Sequence, residues 1–133
     1  MPLDLFKTLQ ARDILSIDSS HILKSASDVA HYFMSVLPHL KPGVIVHFHD
    51  IFLPEEYPEE WVMTRHFFFS EQYILRAFLT HNAAFRILFA GRFLQLSRPD
   101  LVRDALDFYR SEITKAGSFW IERGAWGLPL ATP

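Results

Sequence analysis

Apolar and polar positions follow two rhythms along this chain, and each change of rhythm marks an element. Leu3, Leu5, Phe6 and Leu9 form a weak helical stripe over residues 3–11. Ile14-Leu15-Ser16-Ile17 then reads as a strand, stopped by the turn-forming Asp18-Ser19-Ser20. Ser25 to Asp28 opens a helix, with a Ser three residues ahead of an acid in the manner of a capping box. Behind it Val29, Tyr32, Phe33, Val36, Leu37 and Leu40 recur at helical spacing as one stripe, which Pro38 ends or kinks before Lys41-Pro42-Gly43 turns the chain. Val44 to Phe48 is β-branched and apolar on both faces, the pattern of a central strand covered on both sides.

The second half is read the same way. Ile51 to Pro58 is an acidic loop stiffened by two prolines and placed above the strand ends, and Glu59 to Val62 is a short helix. Ser70-Glu71 caps a firmer helix with Tyr73, Ile74, Ala77 and Phe78 inward. Phe85 to Ala90 is a third strand, while Gly91 to Arg98 fits either an extension of it or a turn. Asp100 to Lys115 is a helix with Leu101, Ala105, Phe108, Tyr109 and Ile113 on its buried side, and Ser118 to Arg123 is a last strand. The order β-α-β-α-β-α-β makes the fold class α/β, with one domain over residues 1–123 and a tail over 124–133. The first strand, helix and second strand form a right-handed βαβ unit.

Composition narrows the function classes. The 133 residues carry 13 basic and 15 acidic side chains, net −2, so no basic face invites nucleic acid. No apolar run approaches the ~20 residues of a membrane span, and Met1-Pro2-Leu3-Asp4 lacks the start of a signal peptide. A cytoplasmic protein is expected. Without cysteine, disulfides, thiolate metal sites and Cys nucleophiles are excluded. Thirteen Phe is a large apolar load for so short a chain, and part of it is expected to face a partner.

Several blocks resemble a known family: Ile17-Asp18-Ser19-Ser20-His21, Ser27-Asp28-Val29, Leu37 to Gly43, His47-Phe48-His49-Asp50-Ile51-Phe52 with Tyr57-Pro58, and Glu71 to Leu79. Together they look like the C-terminal half of a class I S-adenosylmethionine-dependent methyltransferase, nearest its small-molecule and sugar O-methyltransferase branch. The resemblance runs from about residue 10 to residue 123. It implies a partial Rossmann-like sheet equivalent to the family's fourth to seventh strands, mainly parallel, flanked by helices, with the last strand antiparallel between those at Val44 and Phe85. It implies S-adenosylmethionine as methyl donor and a small-molecule acceptor. The family holds that donor with a glycine-rich loop after its first strand and an acid after its second. This sequence has five glycines, no two within two residues of each other, and no Gly-x-Gly. It therefore reads as the acceptor half, with weak donor binding or none by itself.

The candidate site lies at the strand ends. Asp18 and Asp50 read as ligands of one divalent cation, Mg²⁺ in related enzymes, or as loop caps, Asp18 for the Ser20 and His21 amides and Asp50 for those of Phe52 and Leu53. His21 and His49 read as the base that takes the acceptor's hydroxyl proton, with His49 alternatively a third metal ligand. Their plain alternative is a pair of hydrogen-bonded histidines bracing the edge. His47 reads as a satisfied core histidine, His31 and His39 as surface positions. Lys24 pairs with an acidic group of a ligand or is simply solvated; Tyr57 and Trp61 wall a substrate pocket or pack. Two other classes remain open: a non-catalytic module that oligomerises, or recruits a partner chain, through an exposed Ile14–Ile17 edge, and a metal-dependent hydrolase or oxygenase using the Asp/His cluster alone.

Overall fold

The computed structural model describes residues 2–106 and 115–125. Helix α1 (Leu3–Lys7) leads into β1 (Ile14–Ile17), and a helical segment crosses to β2 (Ile45–Phe48). That segment comprises α2 (Asp28–His31), a π-helical turn (Tyr32–Val36) and α3 (Leu37–His39). Short α4 (Glu59–Met63) and longer α5 (Glu71–Leu79) precede β3 (Phe85–Ala90), then α6 (Gly91–Ser97), α7 (Pro99–Ala105) and β4 (Phe119–Arg123).

The sheet is mixed and open, ordered β1-β2-β4-β3. β1 and β2 are parallel, with Ile17 opposite Phe48. β4 runs antiparallel to both its neighbours, β2 and β3, in the position and direction expected. A bulge at Leu88 shifts the register between Ile87 and Phe89.

The crossover follows its apolar stripe: Val29, Phe33, Val36, Leu37 and Leu40 are all buried against Ile17, Val44, Val46 and Phe48. The widened turn inside it has a local cause. Pro38 has no amide hydrogen to return to the carbonyl four residues back, and just before it Leu37 donates to Tyr32, five residues back. The N-cap is Ser27 rather than Ser25; its Oγ accepts from the Ala30 amide at 3.1 Å.

The expectation that β2 is covered on both faces is corrected. The core packs on one face; on the other, Ile14 and Ser16 are exposed and Ile45, His47 and Trp120 are half-buried. A shallow hollow there is lined by Ile45, Leu88, Phe89 and Trp120, strand residues alone. His47 stands on this face, between the hydroxyls of Ser16 (3.2 Å) and Ser118 (3.0 Å) and over the Trp120 ring. It is satisfied as expected but not enclosed in the core.

Helix α5 keeps part of its expected orientation, with Ile74 and Phe78 half-buried against the core. Its buried residues are Glu71, Gln72 and Leu75, while Tyr73 and Ala77 are exposed. Gly91 to Ser97 is a helix, started where Gly91 passes so close to Ser118 and Ala116 that a Cβ would sit 3.0 and 3.1 Å from them. In α7, Leu101 and Ala105 are exposed rather than buried. Phe108, Tyr109 and Ile113, and the tail beyond Ala125, lie outside the described residues. His39 is exposed as expected; His31 is half-buried, and its Nε2 has no hydrogen-bond partner among the described residues. Among the described residues no helix is long and apolar enough to cross a membrane.

Candidate functional site

β1 and β2 end side by side, so the residues after them share one edge of the sheet. The chain leaves both strands through left-handed backbone: His21 has φ +57° and Asp50 φ +56°. This region is uncommon outside glycine but tolerated by Asp and His, and here it turns both side chains inward. His21 is 7% exposed. Its Nε2 lies 3.5 Å from Asp18 Oδ1 and 4.0 Å from Asp50 Oδ2. His49, more open, places Nδ1 3.3 Å from Asp50 Oδ1 and 3.8 Å from Asp18 Oδ1. All four side chains named from the sequence thus meet at one point.

Neither carboxylate caps the amides expected of it. The Ser20 amide donates to Asp28 Oδ2 at 2.7 Å, and the His21 amide to Ser19 Oγ at 2.8 Å. The Phe52 amide donates to Gln72 Oε1 at 3.1 Å. With those tasks done elsewhere, Asp18 and Asp50 direct their oxygens at the imidazoles. The expected metal set is not supported either. Among the described residues no three His, Asp or Glu side chains are arranged to hold a metal ion. Asp18, His49 and Asp50 face one another as imidazole–carboxylate pairs, and His21 spends Nδ1 on another partner. A hydrolase or oxygenase built on that metal loses its structural basis.

That partner is Glu71, which the sequence pattern does not single out. It opens α5, is wholly buried, and its Oε2 lies 2.7 Å from His21 Nδ1. This hydrogen bond is the largest influence lifting the His21 pKa above the ordinary imidazole value; burial opposes it, and the charges of Glu71, Asp50 and Asp18 add to it. Phe69 closes over the imidazole at 4.6 Å between ring centroids. His47, by contrast, is held low by burial and by neighbouring His49.

Two more residues brace the Asp50 loop. Gln72, beside Glu71, accepts from the Phe52 amide through Oε1, donates Nε2–H to the Glu55 carbonyl at 3.3 Å, and donates its backbone N–H to the Tyr57 hydroxyl at 3.0 Å. Gly117 receives the Ile51 amide at 2.9 Å, and a Cβ there would lie 3.2 Å from Asp50 Cα.

The remaining candidates are placed as follows. Tyr57 is buried, its hydroxyl pKa pushed well up by burial, with Phe52, Phe69 and Tyr73 around its ring. Trp61 contacts Phe52, Phe67 and Phe69 edge-on. Both belong to an aromatic cluster whose Phe69 touches His21. Lys24 is exposed in the loop after β1.

A family model described as a methyltransferase domain matches residues 3–51, from α1 through β2 to the Asp50 edge. That match supports a methyltransferase-like domain over those residues. No curated protein and no solved structure matches the chain.

Proposed function

We propose that this chain forms the acceptor side of an S-adenosylmethionine-dependent O-methyltransferase acting on a small hydroxylated molecule, with His21 as the base. The observation that carries the reading is the meeting of His21, His49, Asp18 and Asp50 at the shared edge of β1 and β2, at the end of the matched stretch. An acceptor hydroxyl entering this cluster meets His21 Nε2, which takes its proton. Asp18 and Asp50 favour the imidazolium that forms, and positioning of the oxygen carries most of the rate. His49 is the more exposed second imidazole and orients the hydroxyl.

The residues present do not fit the donor. A cofactor with a nucleoside and a charged tail needs close backbone approach, and the described strand ends offer a left-handed His and Asp rather than a glycine-rich turn. Calorimetric titration with S-adenosylmethionine is expected to give no binding tighter than ~10 µM, a threshold of about 7 kcal/mol. Tighter binding would place a donor site within these residues and overturn that part of the reading. The base assignment is tested by label transfer from millimolar S-adenosylmethionine to a panel of phenols, sugars and hydroxy acids. Transfer lost in His21→Asn supports it, and transfer undiminished in that variant refutes it.

The sheet edge supports one further element. β1 is the end strand, and Ile14 at its start is 56% exposed. Its unpaired backbone offers a template for another strand, and a second copy of the chain is the proposed occupant, a different partner chain the other outcome. Sedimentation at micromolar concentration is expected to give a species larger than the monomer; a monodisperse monomer counts against it.

A further inference from the structure

We infer that Glu71 is the positioning residue of this site: it fixes His21 in the tautomer that leaves Nε2 free to accept a proton. The inference deepens the methyltransferase reading for its chemistry, but its geometry stands without that reading.

Glu71 is the first residue of α5 and is 0% exposed. A carboxylate so placed is costly unless something uses its charge. The junction between the β1 loop and α5 does not need it. The His21 carbonyl already accepts from the Ser70 and Glu71 amides at 2.7 and 3.1 Å, and Ser70 Oγ accepts from the Leu23 amide at 2.7 Å. These backbone ties hold the loop on the helix. The side chain adds a single contact, Oε2 to His21 Nδ1 at 2.7 Å, while Oε1 stays buried without a hydrogen-bond partner among the described residues. A residue kept only to stabilise the helix start would not leave an acceptor stranded.

What the contact does is chemical. An imidazole whose Nδ1–H is donated to a carboxylate carries its lone pair on Nε2. Here Nε2 faces Asp18 and Asp50, the side on which an acceptor would arrive. Phe69 lies against the ring at a tilt of 41°. The groups facing His21 are therefore Asp18 after β1, Asp50 after β2 and Glu71 from α5, with His49 beyond the two aspartates. When an acceptor reacts, its O–H bond breaks, an N–H bond forms at Nε2, the electron pair stays on oxygen, and the imidazolium lies between three carboxylates. This is the logic of a histidine oriented by a buried acid, assembled from two loops and a helix start.

The test begins with the wild-type chain and needs no donor, acceptor or turnover. Nitrogen-15 NMR of the histidine rings at a pH where His21 is neutral is expected to show the Nδ1–H tautomer, with a strongly deshielded Nδ1 proton. Finding the Nε2–H tautomer there overturns the inference, whatever the variants do. In Glu71→Gln and Glu71→Leu, checked for folding by their amide spectra, the deshielded proton is expected to disappear; its persistence in a folded Glu71→Leu protein also overturns it. Where turnover is measurable, Glu71→Gln is expected to lower kcat about 10–100-fold with KM little changed, the scale of orienting partners elsewhere, and Glu71→Asp to recover part of the loss. An unchanged kcat contradicts the positioning role. Methyl transfer undiminished in His21→Asn, with the tautomer as expected, removes the base assignment and leaves the dyad standing.

Discussion

Replacing Gln72 tests whether the loop carrying Asp50 is held by one buried amide. Gln72 is 1% exposed, and its Oε1 accepts the amide of Phe52, itself in the core. Gln72→Met keeps the volume but strands that N–H, which costs about 1–3 kcal/mol when the donor stays buried. Gln72→Ala strands the same donor and also removes packing worth roughly 1 kcal/mol, at about 0.8 kcal/mol per buried methylene. The expected losses are therefore about 1–3 kcal/mol for the first variant and ~2–4 kcal/mol for the second. For a domain of this size, between the two size classes for which the conversion is known, each kcal/mol lowers Tm by roughly 3–5 °C. Urea denaturation with a shared m value gives the free energies, and amide spectra report whether His49, Asp50 and Ile51 shift together. Gln72→Met within about 0.5 kcal/mol of wild type, the scatter of neutral surface changes, would refute the claim that this bond holds the loop.

Two further outcomes follow from the same site. His21 is raised above its ordinary value mainly by Glu71, so its contribution to stability is complete below the unfolded imidazole pKa of about 6.5 and is lost as pH rises through its folded value. His47, held low, works in the opposite sense and loses stability as pH falls. The difference in denaturation free energy between wild type and Glu71→Gln isolates the first effect: it should be larger at about pH 6 than at about pH 9, and a difference independent of pH would refute it. Gly117→Ala should press on Asp50 and Phe52, since the new Cβ would lie 3.2 Å from Asp50 Cα and from the Phe52 ring. Overpacking of this kind costs about 1–3 kcal/mol, measured by thermal denaturation, and the largest amide shifts should fall at Asp50 to Phe52.

Pattern reading succeeded where apolar residues alone decide the outcome. The Ile14–Ile17 and Val44–Phe48 runs became adjacent parallel strands, and Asp18, His21, His49 and Asp50 arrived at one edge because strand ends fix where the following residue goes. It failed on α5 for a related reason. A hydrophobic count puts Tyr73 and Ala77 inside, whereas the helix buries Glu71 and Gln72, whose partners are a loop histidine and a loop amide far away in sequence. Buried polar residues are invisible to that count until their partners are known. The same blindness read Asp18 and Asp50 as caps, because Asp28 and Gln72, which take the Ser20 and Phe52 amides, come from other elements. The one-sided core under β2 was hidden differently: Ile45 is as apolar as Val46, and composition does not say which face is covered.

The place of β4 between β2 and β3 has a consequence for how the chain assembles. Among the described residues β3 pairs with no strand but β4, so its backbone waits for a segment roughly 30 residues further along, a delay of a few seconds at ~5–20 residues per second of synthesis. The βαβ unit ahead of it needs only neighbouring sequence and can form first. A growing polypeptide therefore carries a nearly finished reaction edge while Ile87, Leu88 and Phe89 still lack a partner strand. Such non-local closure is slow, and an unpaired apolar strand is prone to join the wrong chain meanwhile. Mutations that slow β4, even far from the site, should lower the yield of native protein before they alter its chemistry.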